Sequence, residues 1–234
     1  VLDEKSGEIV FESNANSPRK PASVIKLVSA AAAYTYLSPS DSYTTSLWAG
    51  VDSKSVVIQG SLDPWISYDH KVAEKMSRTS LGRFEYNALS KIKELNSGST
   101  KETVIYYSNL YAQDVAHIQK FLKDRKLATT LKRVTHKQAV ALSSEYILGS
   151  TSPTLEKIVD WTLIWSDNLL AERIARIASA AAGNSFDDAG VATTFTNLLT
   201  EMGISTSNLI VKDASGLSKQ NLSLIHISEP TRRS

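Results

Sequence analysis

The segment from Ala22 to Leu37 constrains the rest of the chain most. Pro21 precedes it, and Leu27, Val28, Ala30 to Ala33 and Tyr34 leave almost no polar face, with Ser29 and Thr35 as the exceptions. Alanine is the best helix former. A helix that is apolar all round must be buried, and small side chains let its neighbours approach closely. The run is too short to span a bilayer, which takes about 20 apolar residues, so the rest of the chain must supply a core around it. It has the means: 234 residues are enough for one to two domains, and 42% hydrophobic with 21% charged residues excludes a disordered or fibrous chain. The net charge of +2 gives no sign of nucleic acid or an anionic surface as partner. The absence of cysteine excludes disulfides, a thiol nucleophile and a thiolate metal site, and is compatible with an oxidising compartment. The chain begins with Val, which reads as a processed or clipped start, so the lack of a leader says nothing of compartment.

Val1–Ser13 reads as two short strands, Leu2 and Ile9–Phe11, about a turn at Lys5-Ser6-Gly7-Glu8. Asn14–Pro21 is a loop. After a stop at Ser38-Pro39-Ser40-Asp41, Thr44–Ile66 is strand-like, with Val56-Val57-Ile58 between turn residues and Gly60-Ser61-Leu62-Asp63-Pro64 as a turn. Tyr68–Lys93 is partly helical, Thr103–Tyr107 is a β-branched and aromatic strand, Asp114–Leu127 has helical spacing, and Leu131–Leu142 is ambiguous. Three helices follow: one opened by Ser152-Pro153, one over Leu169–Ala182 ended by Gly183, and one marked by Phe195, Leu198, Leu199 and Met202 and ended by Gly203. Leu209-Ile210-Val211 is a short strand and Asp213–Ser218 a Gly/Ser loop. This order predicts an α+β fold with an insertion: residues 1–42 and 141–221 form one domain, 43–140 the inserted region, and 222–234 a tail.

The chemistry is narrow. None of His70, His117, His136 and His226 has metal-ligand spacing, and there is neither a Gly-x-Ser-x-Gly elbow nor a glycine-rich phosphate loop. A serine can use a lysine base instead, and Ser-x-x-Lys puts hydroxyl and amine one turn apart on a helix. Three places match: Ser17/Lys20, Ser23/Lys26 and Ser90/Lys93. With 33 serines and 17 lysines the bare spacing arises by chance, so context must choose. Ser17/Lys20 straddles Pro18 in a loop, and Ser90/Lys93 lies in a Lys/Glu-rich helix. Ser23 falls in the first turn of the apolar helix, where free N–H groups favour developing negative charge. Lys26 falls at the head of a buried helix, where desolvation lowers a lysine pKa as a general base requires. The plain alternatives are a helix cap for Ser23 and a snorkelling lysine for Lys26. Ser166-Asp167-Asn168, the one Ser-x-Asn in the chain, offers a second hydroxyl to relay a proton and an amide to hold a carbonyl; by itself it also reads as a helix N-cap.

Together these residues resemble the serine acyl-transferases that react with penicillin, and among them the D-alanyl-D-alanine carboxypeptidases of the penicillin-binding protein 4 type. Pro21-Ala22-Ser23-Val24-Ile25-Lys26-Leu27 is similar to that family's Pro-Ala-Ser-x-x-Lys-Leu helix. Gly60–Pro64 resembles its Gly-x-Gly-Asp-Pro turn, with Leu62 where Gly is usual. Ser166–Glu172 resembles its Ser-Asp-Asn-x-x-Ala-Glu segment, and Asp213–Ser218 its Asp-Gly-Ser-Gly-Leu-Ser loop, with Ala214 in place of Gly. The four stand in the family's order. The resemblance implies a β-lactamase/transpeptidase-like fold, a sheet with helices about a buried catalytic helix. It implies Ser23 as acylated nucleophile, Lys26 as its base, Ser166 as proton shuttle and Asn168 as the group binding the substrate amide. No cofactor or metal is implied. The partners implied are peptidoglycan stem peptides ending in D-Ala-D-Ala and β-lactam antibiotics, and the location is periplasmic or cell-wall.

The family's third motif, Lys-Thr/Ser-Gly, belongs on a strand after the Ser-x-Asn helices. Lys5-Ser6-Gly7 lies at the wrong end and reads as a turn, so the motif is expected after Ser218. There, Leu222–Arg232 resembles the translation of a transposase-type sequencing adapter, which puts the end of native sequence near Asn221; the plain alternative is a native strand over Leu222–Ile227. The expectation is a C-terminally truncated and inactive fragment of a serine D-Ala-D-Ala carboxypeptidase, or an endopeptidase of the same type. A serine β-lactamase and a non-catalytic wall-binding module stay open; the former needs a deacylating carboxylate, and Glu145, Glu156 and Glu172 sit in no assignable pattern.

Overall fold

The computed structural model describes residues 3, 5, 6, 8–11 and 17–223. In chain order the helices are α1 (Lys26–Tyr36), α2 (His70–Lys75), α3 (Leu81–Leu95), α4 (Ala112–Asp124), α5 (His136–Leu142), α6 (Leu155–Ile164), α7 (Asn168–Ala181) and α8 (Asp188–Glu201). The strands are β1 (Thr44–Gly50), β2 (Ser55–Gln59), β3 (Ile66–Ser67), β4 (Thr79–Ser80), β5 (Thr103–Ser108), β6 (Thr129–Arg133) and β7 (Ser143–Thr151). The chain divides into two compact units, one of Val1–Asp41 with Leu155–Ser234 and one of Ser42–Thr154.

In the first unit α1 packs on α7, and α8 completes the core. Ala32 on α1 and Ala175 and Ala178 on α7 are fully buried, so the two helices meet through methyl groups at short range. Ile25, Val28, Val191, Phe195, Leu198 and Leu199 fill the remaining space. The burial of α1 is not complete, as its pattern had implied: Leu27 and Tyr34, one face of the helix, are 51% and 43% exposed. Among the described residues this unit has no strand ladder, only single bridges of Arg19 with Ser223 and Ile210 with Leu222. The expected strand at Leu209–Val211 is therefore one bridge. The tail expectation falls on residues 224–234, which lie outside the described residues, while Leu222 and Ser223 have paired backbones. Near the start, Asp3 N–H donates to Glu8 C=O at 2.8 Å; residues 1 and 2 lie outside the described residues.

The second unit holds the sheet, in the order β6-β5-β2-β1-β7. β1 pairs antiparallel with β2 and β7, while β2, β5 and β6 run parallel. The central strand β2 is buried on both faces, which is why Val56-Val57-Ile58 is an unbroken apolar run rather than an alternating one. Parallel neighbours need crossovers: α3 lies between β2 and β5, and α4 between β5 and β6. Phe84, Ala88 and Ile92 of α3 and Ile118, Phe121 and Leu122 of α4 cover the sheet. The ambiguous stretch resolves into β6 and α5, with Thr135 and Gln138 forming a capping box at the start of α5. The unit ends at Thr154 rather than at 140, because β7 pairs along β1. β7 is a largely exposed edge strand whose side chains show no clean alternation.

An insertion of this size is possible because its ends meet. Leu155 N–H donates to Asp41 C=O at 2.7 Å, and Ser152 N–H to Tyr43 C=O at 2.8 Å.

Candidate active site

Ser23 stands not on α1 but in a 3₁₀ turn, Ala22–Ile25, that leads into it. Val24 N–H donates to Pro21 C=O, and Lys26 N–H reaches back to Ser23 C=O. The 3₁₀ turn brings the pair closer, because at three residues per turn positions i and i+3 eclipse. Lys26 Nζ lies 3.1 Å from Ser23 Oγ and donates to the Ser215 carbonyl at 2.6 Å. Lys26 is only 2% exposed, while Ser23 opens to solvent. Burial is the main cause that lowers the Lys26 pKa, and the carboxylates of Asp213, Asp167 and Glu172 pull it partly back.

The Ser166-Asp167-Asn168 triplet divides its labour. Asp167 is the N-cap of α7, accepting from Leu170 N–H at 3.1 Å. Ser166 takes the left-handed position just after α6, at φ 52°, and Asp167 N–H closes back onto Thr162 C=O. Glycine usually fills that position. Here it holds a hydroxyl, and Ser166 Oγ donates to Ser23 Oγ at 2.9 Å. Asn168 begins α7 with its side chain exposed; among the described residues no hydrogen bond links it to the other three.

Sequence reasoning missed the support. The Asp213–Ser218 loop is wound around Asp213, whose carboxylate accepts from the N–H groups of Ser215, Gly216 and Ser218. Buried Asn221 accepts from Lys212 N–H at 2.6 Å and donates to Asp213 Oδ1 at 2.9 Å. Ser29 Oγ donates to Ala214 C=O at 2.8 Å, tying α1 to the loop. Gly216, at φ 83°, passes so close that a Cβ there would meet the Ala22 carbonyl oxygen at 1.8 Å. Glu172 Oε1 accepts from Ala214 N–H at 2.9 Å and Ser215 N–H at 3.0 Å. The signal was present in the Asp-Ala-Ser-Gly pattern, but nothing local says what such a turn is wrapped around. Among the described residues, no group of three or more His, Cys, Asp or Glu could hold a metal ion.

The geometry is thus a serine hydroxyl held between a buried lysine amine and a second serine hydroxyl, at the head of a helix. Residues 1–95 and 97–224 match the D-Ala-D-Ala carboxypeptidase 3 (S13) family, and the chain belongs to that family of peptidases. The fold is that of penicillin binding protein 4 from Haemophilus influenzae, at TM-score 0.61 and 14% identity over 95% of this chain and 71% of that one. The same protein complexed with a β-lactam gives TM-score 0.60 and 15% identity over 95% and 70%. A predatory peptidoglycan endopeptidase from Bdellovibrio bacteriovorus matches at TM-score 0.50 and 14% identity, over 93% of this chain and 63% of that one. No curated protein matches the chain in sequence. The transpeptidase-like fold class expected from the motifs is thus the observed one.

Proposed function

We propose that the chain carries the acylation site of a serine D-Ala-D-Ala carboxypeptidase acting on peptidoglycan stem peptides. The observation that carries this reading is the contact of Lys26 Nζ with Ser23 Oγ at 3.1 Å, with the amine buried and the hydroxyl open. A neutral amine there donates to the Ser215 carbonyl and accepts the Ser23 proton. Ser23 Oγ attacks the carbonyl carbon of the penultimate D-Ala, the C–N bond breaks, and Ser166 passes the proton to the departing amine of the terminal D-Ala. Water then hydrolyses the ester and restores Ser23. Asn168, exposed at the start of α7, binds the substrate amide. Stem peptides and β-lactams are the proposed ligands, and the location is outside the cytoplasmic membrane; among the described residues no helix is long and apolar enough to cross one.

The lactamase alternative needs a free carboxylate to activate the deacylating water. Glu172 is near Lys26, but its Oε1 is held by two loop amides, and Glu145 is paired with Lys91 at 3.1 Å in the second unit. Labelled penicillin decides. Stable labelling that disappears in Ser23→Ala is the expected result; rapid turnover makes it a lactamase, and no labelling makes it a wall-binding module. The strain of the β-lactam ring lets acylation be read where peptide turnover is slow. The position expected for Lys-Thr/Ser-Gly, after Ser218, leads outside the described residues.

A further inference from the structure

Two neighbouring residues, Ser23 and Lys26, come with a third element that the motif reading leaves unassigned. Glu172 lies one turn into α7 from Asn168, on the helix that Asp167 caps. Its side chain is largely buried, yet it is spent on two backbone N–H groups of a loop more than forty residues away in sequence. Those groups belong to the residues whose carbonyls face α1: Ala214 C=O accepts from Ser29 Oγ, and Ser215 C=O accepts from Lys26 Nζ at 2.6 Å. Partial burial raises the Glu172 pKa, and the two N–H donors pull it only partly back. An amide or a hydroxyl could have satisfied the same donors more cheaply.

We propose that Glu172 is the positioning residue for Lys26: by clamping the Ala214 and Ser215 N–H groups it aims the Ser215 carbonyl at the lysine amine and so holds that amine against the Ser23 hydroxyl. The proposal rests on the acylation reading only for what the placement serves; the clamp itself is a matter of geometry. Glu172 also acts through its charge. The charged groups that face Lys26 are Asp213 from the loop, Asp167 from the start of α7, and Glu172. All three favour the protonated amine against the desolvation that disfavours it, so Glu172 aims Lys26 and also limits how far its pKa falls.

The two contributions separate by substitution. Glu172→Gln keeps an oxygen acceptor for the two amides and removes the charge; Glu172→Ala removes both. In the full chain with ¹³C-labelled lysine, the Lys26 Cε resonance, assigned by its loss in Lys26→Arg, is titrated by NMR, and amide exchange is followed at Ala214 and Ser215. The expected result for Glu172→Gln is a lower Lys26 midpoint, with protection at the two amides kept. For Glu172→Ala, protection at those amides falls by about tenfold or more. Unchanged amide protection in Glu172→Ala overturns the proposal, as does a Lys26 midpoint in Glu172→Ala equal to that in Glu172→Gln, since losing the clamp must move the lysine beyond what losing the charge does. A merely structural glutamate would lower thermal stability without moving the lysine. The titration needs no acylation, so its failure is distinct from a failure of the proposed activity, which Ser23→Ala labelling reports.

Discussion

At the residue scale, the site is made of positions where backbone preference and chemistry disagree. Ser166 occupies a left-handed conformation that costs a non-glycine residue about 1–2 kcal/mol. A glycine would sit there without strain, but only a hydroxyl can reach Ser23 Oγ. Ser166→Gly is therefore expected to raise the unfolding free energy by about 1 kcal/mol while slowing penicillin acylation by about 10²-fold; thermal melts and labelling rates on the same sample check both. Gly216 is the converse. A Cβ added there would strike the backbone of Ala22, which cannot move without moving Ser23. Gly216→Ala is expected to cost about 2–4 kcal/mol in denaturant unfolding. The two departures from the family's glycine pattern also come apart at this scale. Leu62 sits at φ 59°, strained where Gly is usual, whereas Ala214 has no left-handed φ and simply fills the core.

At the element scale, the 3₁₀ turn and the α6–α7 junction do the positioning. The turn eclipses Ser23 and Lys26, and the junction presents Ser166 between one helix that must end and another that must begin. The N-cap holds that junction. Asp167→Ala is expected to lower stability by about 1 kcal/mol, and Asp167→Asn by a few tenths, since Asn still accepts from Leu170 N–H. Both remove a charge that raises the Lys26 pKa, so both shift its titration downward, and paired melts and titrations check the distinction. The helices and the central strands were legible because their patterns are local: an alanine-rich run, a stripe at helical spacing, a β-branched triplet between turns. β7 was not legible. It is an edge strand with few buried side chains, and its place is set by register against β1. The 3₁₀ turn at Ala22–Ile25 is not distinguishable locally from the first turn of an α-helix, because the two share sequence signals at a helix start.

At the scale of the whole molecule, two units each have their own core, and the insertion point is a pair of backbone hydrogen bonds. The field at Lys26 is also a property of the whole first unit. The hydrophobic packing of α1 desolvates the amine, while Asp167, Glu172 and Asp213 come from two other segments. For a base of lowered pKa the working form is the neutral amine, and its share grows as pH rises through the lowered value. The acylation rate is expected to rise with pH to a midpoint below 10.5, the ordinary lysine value; stopped-flow labelling between neutral and alkaline pH checks it. A midpoint at or above 10.5 would contradict the burial argument.

The sequence alone determined the apolar helix, the Ser-x-x-Lys and Ser-x-Asn groups on it and near it, and their order along the chain, because each depends on side chains within a turn or two of one another. Which of the three Ser-x-x-Lys matches context favours also followed, since only Ser23/Lys26 heads a strongly apolar helix, and those two side chains meet at 3.1 Å. Tertiary structure alone decided that Ser166 meets Ser23, that Asp213, Asn221 and Glu172 build the loop beneath Lys26, and that Leu27 and Tyr34 remain exposed. Those outcomes depend on which surfaces meet across 42 to 189 positions of sequence, and no local periodicity encodes such a meeting.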